Sequence, residues 1–111
     1  QINEIAIKTS SGAISNLNIC RERNLNQIVT TAKKSGLTII ACSEKGEKNI
    51  FDINLKKPQL IIIGSEKNGI SNQLLSLAHE TGKIPTKGKT NSLNASVATG
   101  IILFEYTRQV T

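Results

Sequence analysis

Two stretches decide the fold: LIIIGSEKNGIS at residues 60–71 and IPTKGKTNSLNASVATGIILFEYTR at residues 84–108. The first begins with a short apolar run that stops at Gly64, and a run of this length bounded by glycine predicts a buried strand. The polar turn that follows ends at Gly69. Glycines in such a turn let backbone amides approach a ligand closely. Taken by itself, however, an ordinary strand-to-helix turn is the simpler interpretation of this segment.

The second stretch predicts a strand closed by Pro85, a glycine-bearing loop, and a long helix that begins at Asn91 or Ser92. Asn94 and Ser96 add polar groups to the first turn of that helix, where unpaired backbone amides bind an anionic group well. Simple capping is the better interpretation of this segment by itself. Both loops nevertheless follow strand ends, and open α/β sheets place their ligands at that edge.

The remaining segments alternate between strand patterns and helix patterns. Short strands are predicted at residues 4–8, 17–20, 37–42 and 82–85, and a charged, solvated loop at residues 43–49. The order strand, helix, strand, loop, strand indicates parallel pairing, because the helix supplies the crossover that parallel strands require. The predicted fold class is therefore α/β, with a mainly parallel sheet flanked by helices, in one domain that spans residues 1–111.

Three helices are predicted. The first is capped by Asn24 and stopped by Gly36, and its apolar residues recur at the spacing of a helix that lies on a sheet. The second is short, capped by Ser71, and extends through Leu77. The last carries an apolar stripe broad enough to serve both the sheet and a partner subunit, so we expect a homodimer through this helix. The stripe consists of Leu93, Val97, Ile101 and Phe104, widened by Ile102 and Tyr106.

The composition fits one soluble domain with a modest core. Lys and Arg number 14 against 8 Asp and Glu, a net charge of +6. This charge favours a polyanionic partner through phosphate contacts, although a solubilising surface explains it equally. Aromatic residues make up only 3% of the chain, too few for a single-strand binder built on base stacking. No apolar run reaches the length of a membrane span and no signal-peptide pattern occurs at the N-terminus, so we expect a cytoplasmic protein.

Metal and nucleotide sites of common types do not match the sequence. Cys20 and Cys42 are isolated, which argues against a zinc site or a disulfide framework and predicts two buried, reduced thiols. Gly64 and Gly69 have the separation of a P-loop, G-x-x-x-x-G-K-[ST], but Ile70 occupies the lysine position. The Gly-Lys-Thr at residues 88–90 has the right ending, but a lysine stands where the first glycine would have to be.

The two motifs G-S-E-x-x-G and I-P-x-x-G-x-x-x-S-L-N-x-S-V-A, about twenty residues apart, together resemble the C-terminal motifs of the SpoU/TrmH family. These are SPOUT-class RNA 2'-O-ribose methyltransferases. KTSSGAISNLNICRERNL at residues 8–25 resembles the segment that leads into these motifs in the RlmB-like branch, whose members modify guanosine in ribosomal RNA. The resemblance therefore covers nearly the whole chain.

What this resemblance implies is a deep C-terminal trefoil knot that binds S-adenosylmethionine, the methyl donor, in a bent shape. Backbone groups at Gly64, Ile84 and Leu93 would hold the adenine and ribose, and Ser92 and Asn94 would shape the pocket beside the methionine part. The implied function is methyl transfer to a ribose 2'-hydroxyl of tRNA or rRNA, most often of a guanosine in ribosomal RNA. The reaction is an in-line attack that needs alignment and proton removal but no metal.

The resemblance also implies roles on the RNA side. Glu66 would face the RNA substrate and, with Asn94, forms the candidate catalytic pair. Lys67, Lys87 and Lys89 lie on the neighbouring loops, and their charge and position suggest contacts with RNA phosphates.

One element of the family pattern is missing. The family's proton-handling residue is an Arg in an N-terminal motif N-x-G-x-I-x-R, but no Arg precedes Arg21 here. Arg21 and Arg23 lie in no matching motif, and Thr86 stands where the family commonly carries Met. We therefore expect the chain to be a C-terminal fragment of a longer methyltransferase. The alternative is a non-catalytic RNA-binding module with the same fold, and a generic nucleotide-binding α/β domain comes third.

Overall fold

The computed structural model describes residues 4–10, 13–22, 25–64, 70–85 and 95–111, with side chains described in all of these except residues 4, 10 and 13–22. These residues form ten elements in this order: β1 Glu4–Ser10, β2 Ala13–Glu22, α1 Asn26–Lys34, β3 Thr38–Cys42, β4 Lys48–Asn49, a 3-10 turn Ile50–Asp52, β5 Gln59–Gly64, α2 Asn72–Leu75, β6 Glu80–Lys83 and α3 Ala95–Val110. None of the described helices has the length and apolar character needed to cross a membrane.

The six described strands form one sheet in the order β2-β1-β5-β3-β6-β4. Pairing is parallel between β5 and β3, between β3 and β6, and between β6 and β4. It is antiparallel on both sides of β1. Five of these strands therefore run in one direction and β1 alone opposes them. The predicted mainly parallel α/β sheet is confirmed. The strand, helix, strand pattern of the sequence predicts parallel pairing only for strands that a helix connects. β1 is followed directly by β2, with which it pairs as a hairpin, so the pattern does not show that β1 runs opposite to the other strands.

The C-terminus of α1 is set by a glycine, as predicted. Gly36 has a φ of 94°, and its amide donates to the carbonyl of Lys33 at 3.1 Å. The amide of Leu37 donates to the carbonyl of Ala32 at 3.1 Å. This pair of bonds satisfies carbonyls of the last helical turn and requires a left-handed residue, which glycine adopts without steric cost. The chain leaves the helix here and enters β3.

The N-terminus of α1 differs from the prediction. The helix begins at Asn26, and Leu25 takes the N-cap position without a side-chain hydrogen bond. Leu25 is buried under the helix together with Val29, so burial of an apolar side chain helps to fix the start. Asn24, the predicted cap, lies outside the described residues.

Alternate residues of β3 and β5 supply two cores, one on each face of the sheet. The face covered by α1 and α2 contains Ile39, Ala41, Leu60 and Ile62. The face covered by α3 contains Ile40, Cys42, Ile61 and Ile63, together with Ala98, Ile102 and Tyr106 of the helix. A strand with an unbroken apolar run, as β5 has from Leu60 to Ile63, is typical of a sheet buried on both faces.

Two shorter elements partly match the predictions. Ser71 caps α2 as predicted, since its Oγ accepts a hydrogen bond from the Leu74 amide at 3.2 Å. The helix ends at Leu75 rather than Leu77. The segment predicted as a charged loop contains the two-residue strand β4, which pairs with the end of β6. Its charged residues gave no strand pattern, because this pairing depends on a neighbour distant in sequence.

Candidate functional site

The carboxyl ends of the parallel strands meet at one edge of the sheet, which we call the carboxyl edge. Ile63 pairs with Cys42, and Cys42 pairs with Gly82, so the ends of β5 and β6 flank the end of β3. Gly64 is the last residue of β5, and Ile84 directly follows the last residue of β6. Neighbouring strands lie about 4.8 Å apart, which puts the two strand ends about 10 Å apart across β3. The structure thus brings two of the predicted cofactor-binding residues to the same edge.

The start of α3 points to this carboxyl edge as well. Near the other end of the helix, Gln109 accepts a hydrogen bond from the Leu55 amide at 2.7 Å and donates to the Ile53 carbonyl at 2.9 Å. Those carbonyl and amide groups lie in the segment before β5, so α3 runs antiparallel to β5 and Ala95 faces the end where β5 stops. Ala95 and Ile84 pack against the same core cluster.

The other predicted site residues lie outside the described residues: Glu66, Lys67, Lys87, Lys89, Ser92, Leu93 and Asn94. They belong to the segments 65–69 and 86–94. The first of these segments follows Gly64, and the second connects Pro85 to Ala95. Both are therefore joined to the carboxyl edge through described residues.

A tight glycine contact holds the end of β6 beside this edge. A Cβ at Gly46 would lie 2.3 Å from the carbonyl carbon of Gly82 and 2.8 Å from the amide nitrogen of Lys83. The Ser43 amide donates to the Gly82 carbonyl at 2.8 Å. The turn that contains Gly46 therefore rests directly on the backbone that leads to Ile84. Sequence reasoning missed this contact, and the glycine within a charged loop was the only signal available for it.

The thiol of Cys42 lies at the end of β3, between these two strand ends. Its side chain is buried, and burial raises the pKa of Cys42 to about 11. A thiol with that pKa stays protonated at neutral pH, so Cys42 is a packing residue rather than a nucleophile. The predicted buried, reduced thiol is confirmed for Cys42, whereas the side chain of Cys20 lies outside those described. Within the described part of the chain, no group of three or more His, Cys, Asp or Glu residues could hold a metal ion.

Comparison with known proteins gives a family match over most of the chain. A family model described as the SpoU rRNA Methylase family matches residues 1–104. A relative from Archaeoglobus fulgidus, named an uncharacterized tRNA/rRNA methyltransferase, is 38% identical over 108 residues, which cover 97% of this chain and 48% of the relative. A relative of the same name from Mycolicibacterium smegmatis is 32% identical and is covered over 34% of its length. The chain thus spans about half, or less, of the length of these relatives.

Solved structures with a similar fold include two whose descriptions name SpoU or TrmH. The A. aeolicus TrmH/SpoU tRNA modifying enzyme superposes with a TM-score of 0.71 at 36% identity, over 79% of this chain and 45% of that one. A protein described as an RNA 2'-O ribose methyltransferase gives 0.69 at 30% identity, over 75% and 32%. The SpoU methyltransferase AviRb from Streptomyces viridochromogenes, solved in complex with AdoMet, gives 0.66 at 34% identity, over 75% and 34%. The mixed α/β sheet described above is shared with these enzymes.

Proposed function

The chain belongs to the SpoU rRNA methylase family of SpoU/TrmH methyltransferases, and we propose that it provides the S-adenosylmethionine site of an RNA ribose 2'-O-methyltransferase. The observation that carries this proposal is the position of Gly64 and Ile84 at strand ends that flank β3. Ligands of open α/β sheets bind at such an edge. Support also comes from a neighbour solved with AdoMet and from one described as an RNA 2'-O ribose methyltransferase.

The residues of the carboxyl edge fit this cofactor. Strand-end backbone at Gly64 and Ile84 offers hydrogen-bonding groups to an adenine and ribose, and the half-buried Ile84 side chain offers an apolar surface. Backbone at Leu93 completes the adenosine site, while Ser92 and Asn94 shape the pocket beside the methionine part. We further propose that the segments carrying these residues form the family's trefoil knot. When bound, S-adenosylmethionine supplies a methyl group activated by a positively charged sulfur.

The chain's own residues would align the RNA with the methyl donor. Glu66 faces the RNA and Asn94 the donor, and alignment of two reactants supplies a large share of the rate in such a displacement. Lys67, Lys87 and Lys89 contact phosphates next to the target ribose. Proton removal is assigned to none of these residues, because the family's Arg motif has no counterpart here. The segment at residues 8–25 favours a guanosine of ribosomal RNA as the target. We propose that the protein acts in the cytoplasm.

We also propose a homodimer through α3. Its outward face carries Val97 and Phe104, whose exposed fractions are 47% and 73% in the single chain. Partly buried Ile101 lies between them on the same face, one turn from each. Apolar side chains at this spacing on one face of a helix suit a partner helix.

Titration calorimetry of S-adenosylmethionine into the purified protein tests the proposed site. We expect binding in the protein as it stands and at least about tenfold weaker binding in Asn94→Ala, the loss of roughly one hydrogen bond. Asn72→Ala, an exposed position on α2, is the matched control and should bind as the unaltered protein does. Absence of any binding heat would contradict the proposed cofactor site. Equal affinities of the two variants would contradict the role proposed for Asn94.

The second candidate is an RNA-binding module without methyl transfer, which the net charge of +6 favours. The two functions differ in a methyl-transfer assay with labelled S-adenosylmethionine and RNA. A module without catalysis would bind RNA with a steep salt dependence whether or not the donor is present, and would transfer no label.

A further inference from the structure

The amino edge of the sheet, opposite the carboxyl edge, is lined by lysines from three segments. α1 ends in Lys33 and Lys34, and the segment before β5 carries Lys56 and Lys57. Lys8 lies near the end of β1. All five are exposed. We call this set the basic edge: Lys8, Lys33, Lys34, Lys56 and Lys57.

Backbone pairing brings these segments together. The Thr38 amide donates to the Pro58 carbonyl at 3.2 Å, and Thr38 pairs with Gln59 in the parallel ladder. The end of α1 and the segment before β5 therefore enter the sheet side by side. Lys8 pairs with Leu60, the next residue of β5. The five lysines thus share one end of three adjacent strands.

Most of the described carboxylates are placed elsewhere or are already paired. Glu44 and Glu47 lie in the loop after β3, at the carboxyl edge. Glu80 pairs with Lys48 at 3.0 Å, and Glu105 pairs with Arg108 at 2.8 Å. Asp52, in the 3-10 turn, precedes the basic segment by several residues. Within the described part of the chain, no lysine of the basic edge forms an ion pair.

Helix capping accounts for only part of this arrangement. Lysines in a last helical turn offset the negative end of the helix dipole, which explains Lys33 and Lys34. Lys33 also donates to the Leu77 carbonyl at 3.2 Å. Neither reason applies to Lys56, Lys57 or Lys8, which lie in a connecting segment and on a strand. An exposed cluster of one sign, without local anionic partners, fits an external polyanion.

We propose that the basic edge is a second RNA-contact surface, which binds phosphates at the end of the sheet opposite the site of methyl transfer. The inference rests on the proposed function, because it takes RNA as the substrate. β5 has six residues, and at about 3.3 Å per residue the two edges are about 20 Å apart. An RNA that reaches both edges is held by phosphate contacts that set its position without reading its sequence.

The test is RNA affinity as a function of salt, with a ribosomal-RNA stem-loop as the probe and S-adenosylmethionine affinity as a check on the fold. Lys56→Gln/Lys57→Gln should weaken RNA binding about tenfold at 0.1 M salt and lower the slope of log K against log salt by about 1.5. Lys33→Gln/Lys34→Gln, on the neighbouring segment, should give a loss of similar size. Lys56→Arg/Lys57→Arg, which keeps both charges, should bind RNA as the unaltered protein does.

The outcomes separate this inference from the proposed function. If the unaltered protein binds RNA and both Gln variants bind it with the same affinity and slope, the basic edge is not an RNA surface, while the proposed function stands. If the unaltered protein binds no RNA at all, both are wrong. If the Gln variants lose binding to phosphatidylserine vesicles and keep their RNA affinity, the surface serves a membrane and the inference is overturned.

Discussion

His79 and Ile39 exchange two hydrogen bonds across the sheet. The His79 amide donates to the Ile39 carbonyl at 2.8 Å, and the Ile39 amide donates to Nδ1 of the His79 imidazole at 2.9 Å. The ring takes the place of a backbone acceptor, so the β3–β6 ladder gains one residue before its first pair, Ile40 with Glu80. Because Nδ1 accepts, the ring proton resides on Nε2. His79 therefore fixes the start of the strand that ends beside Ile84.

Replacing His79 with Ala should destabilise the fold. Ile39 is fully buried, so its amide would lose this acceptor in a place that water reaches poorly, at a cost of about 1–3 kcal/mol. Urea denaturation measures this loss. Gln73→Ala, at an exposed position on α2, should change the free energy of unfolding by less than about 0.5 kcal/mol. If His79→Ala lowered the free energy of unfolding by less than about 0.5 kcal/mol, the hydrogen bond to the imidazole would not contribute to stability.

Local signals in the sequence predicted those parts of the fold that depend on neighbours in the chain. Gly36 as a helix stop and Ser71 as a cap are decided within a few residues, and the structure confirms both. The imidazole bond of His79 joins residues 40 positions apart, and no periodicity could indicate it. The same holds for the pairing of β4 and for the direction of β1.

The candidate site likewise has features that the sequence predicted and features that it did not. A strand that ends at glycine and one that ends before proline placed Gly64 and Ile84 at strand ends, and parallel pairing then put those ends at one edge. The contact between Gly46 and Gly82 depends on the exact separation of two backbones, which residue type alone does not specify. Roles for Glu66 and Asn94 came from resemblance to a family and stay predictions.

Gly46→Ala should damage both stability and cofactor binding. The added methyl would fall 2.3 Å from the Gly82 carbonyl carbon, which is backbone and cannot rotate away, so the turn or β6 must shift. Overpacking of this kind costs about 1–3 kcal/mol. Thermal unfolding and S-adenosylmethionine titration measure the two effects. Lys45→Ala, an exposed neighbour in the same turn, should leave both unchanged. A normal Gly46→Ala protein would mean that the contact does not position Ile84.

Phe104→Glu should convert the proposed dimer into a monomer. Phe104 is 73% exposed in the single chain, and a carboxylate buried in an apolar interface without a partner is strongly unfavourable. Sedimentation velocity at micromolar concentration measures whether the protein is a dimer or a monomer. Phe51→Glu, which alters another exposed aromatic residue that is not part of α3, should remain dimeric. If the unaltered protein sediments as a monomer, α3 is not a dimer interface.

Cys42 should resist thiol reagents until the protein unfolds. With its pKa raised to about 11 by burial, about one molecule in a thousand carries the thiolate at pH 8, and the thiolate is the reactive form. A Cys20→Ser background leaves Cys42 as the only thiol. A chromogenic disulfide reagent should then react slowly in buffer and at once in denaturant. Equally fast reaction in both would contradict the buried position.

The same thiol should make the free energy of unfolding fall at alkaline pH. In the unfolded chain the thiol has its ordinary pKa of 9.0, so the stability it contributes is fully present below pH 9. It is lost as pH rises from there toward the folded-state pKa. Cys42→Ala in the same Cys20→Ser background removes this titration, so the unfolding free energy of the double variant should fall less between pH 9 and pH 11 than that of the Cys20→Ser protein. Identical slopes would rule the thiol out as the titrating group.

Glu105 is an ionised side chain buried on α3 and held by its own helix. Arg108 donates to both carboxylate oxygens at 2.8 Å from Nε and Nη2, and Gln109 donates at 2.8 Å from Nε2. The hydrogen bonds from Arg108 lower the pKa of Glu105 most, against the opposing effect of burial, and the bond from Gln109 and the charge of Arg108 add to the lowering. Gln109 also binds Leu55 and Ile53, so the carboxylate helps to anchor α3 to the segment before β5.

Because the pKa of Glu105 is lower in the folded state than its ordinary 4.5, its contribution to stability is fully present above about pH 4.5. That contribution is lost as pH falls through the folded-state pKa. Glu105→Gln should cost about 1 kcal/mol at pH 7, the loss of a charged acceptor, and should flatten the acid limb of the stability curve. Urea denaturation between pH 3 and pH 7 measures both effects. Glu44→Gln, an exposed carboxylate in the loop after β3, should leave the curve as it is. Acid limbs of equal slope in the Glu105→Gln and unaltered proteins would show that another group controls acid unfolding.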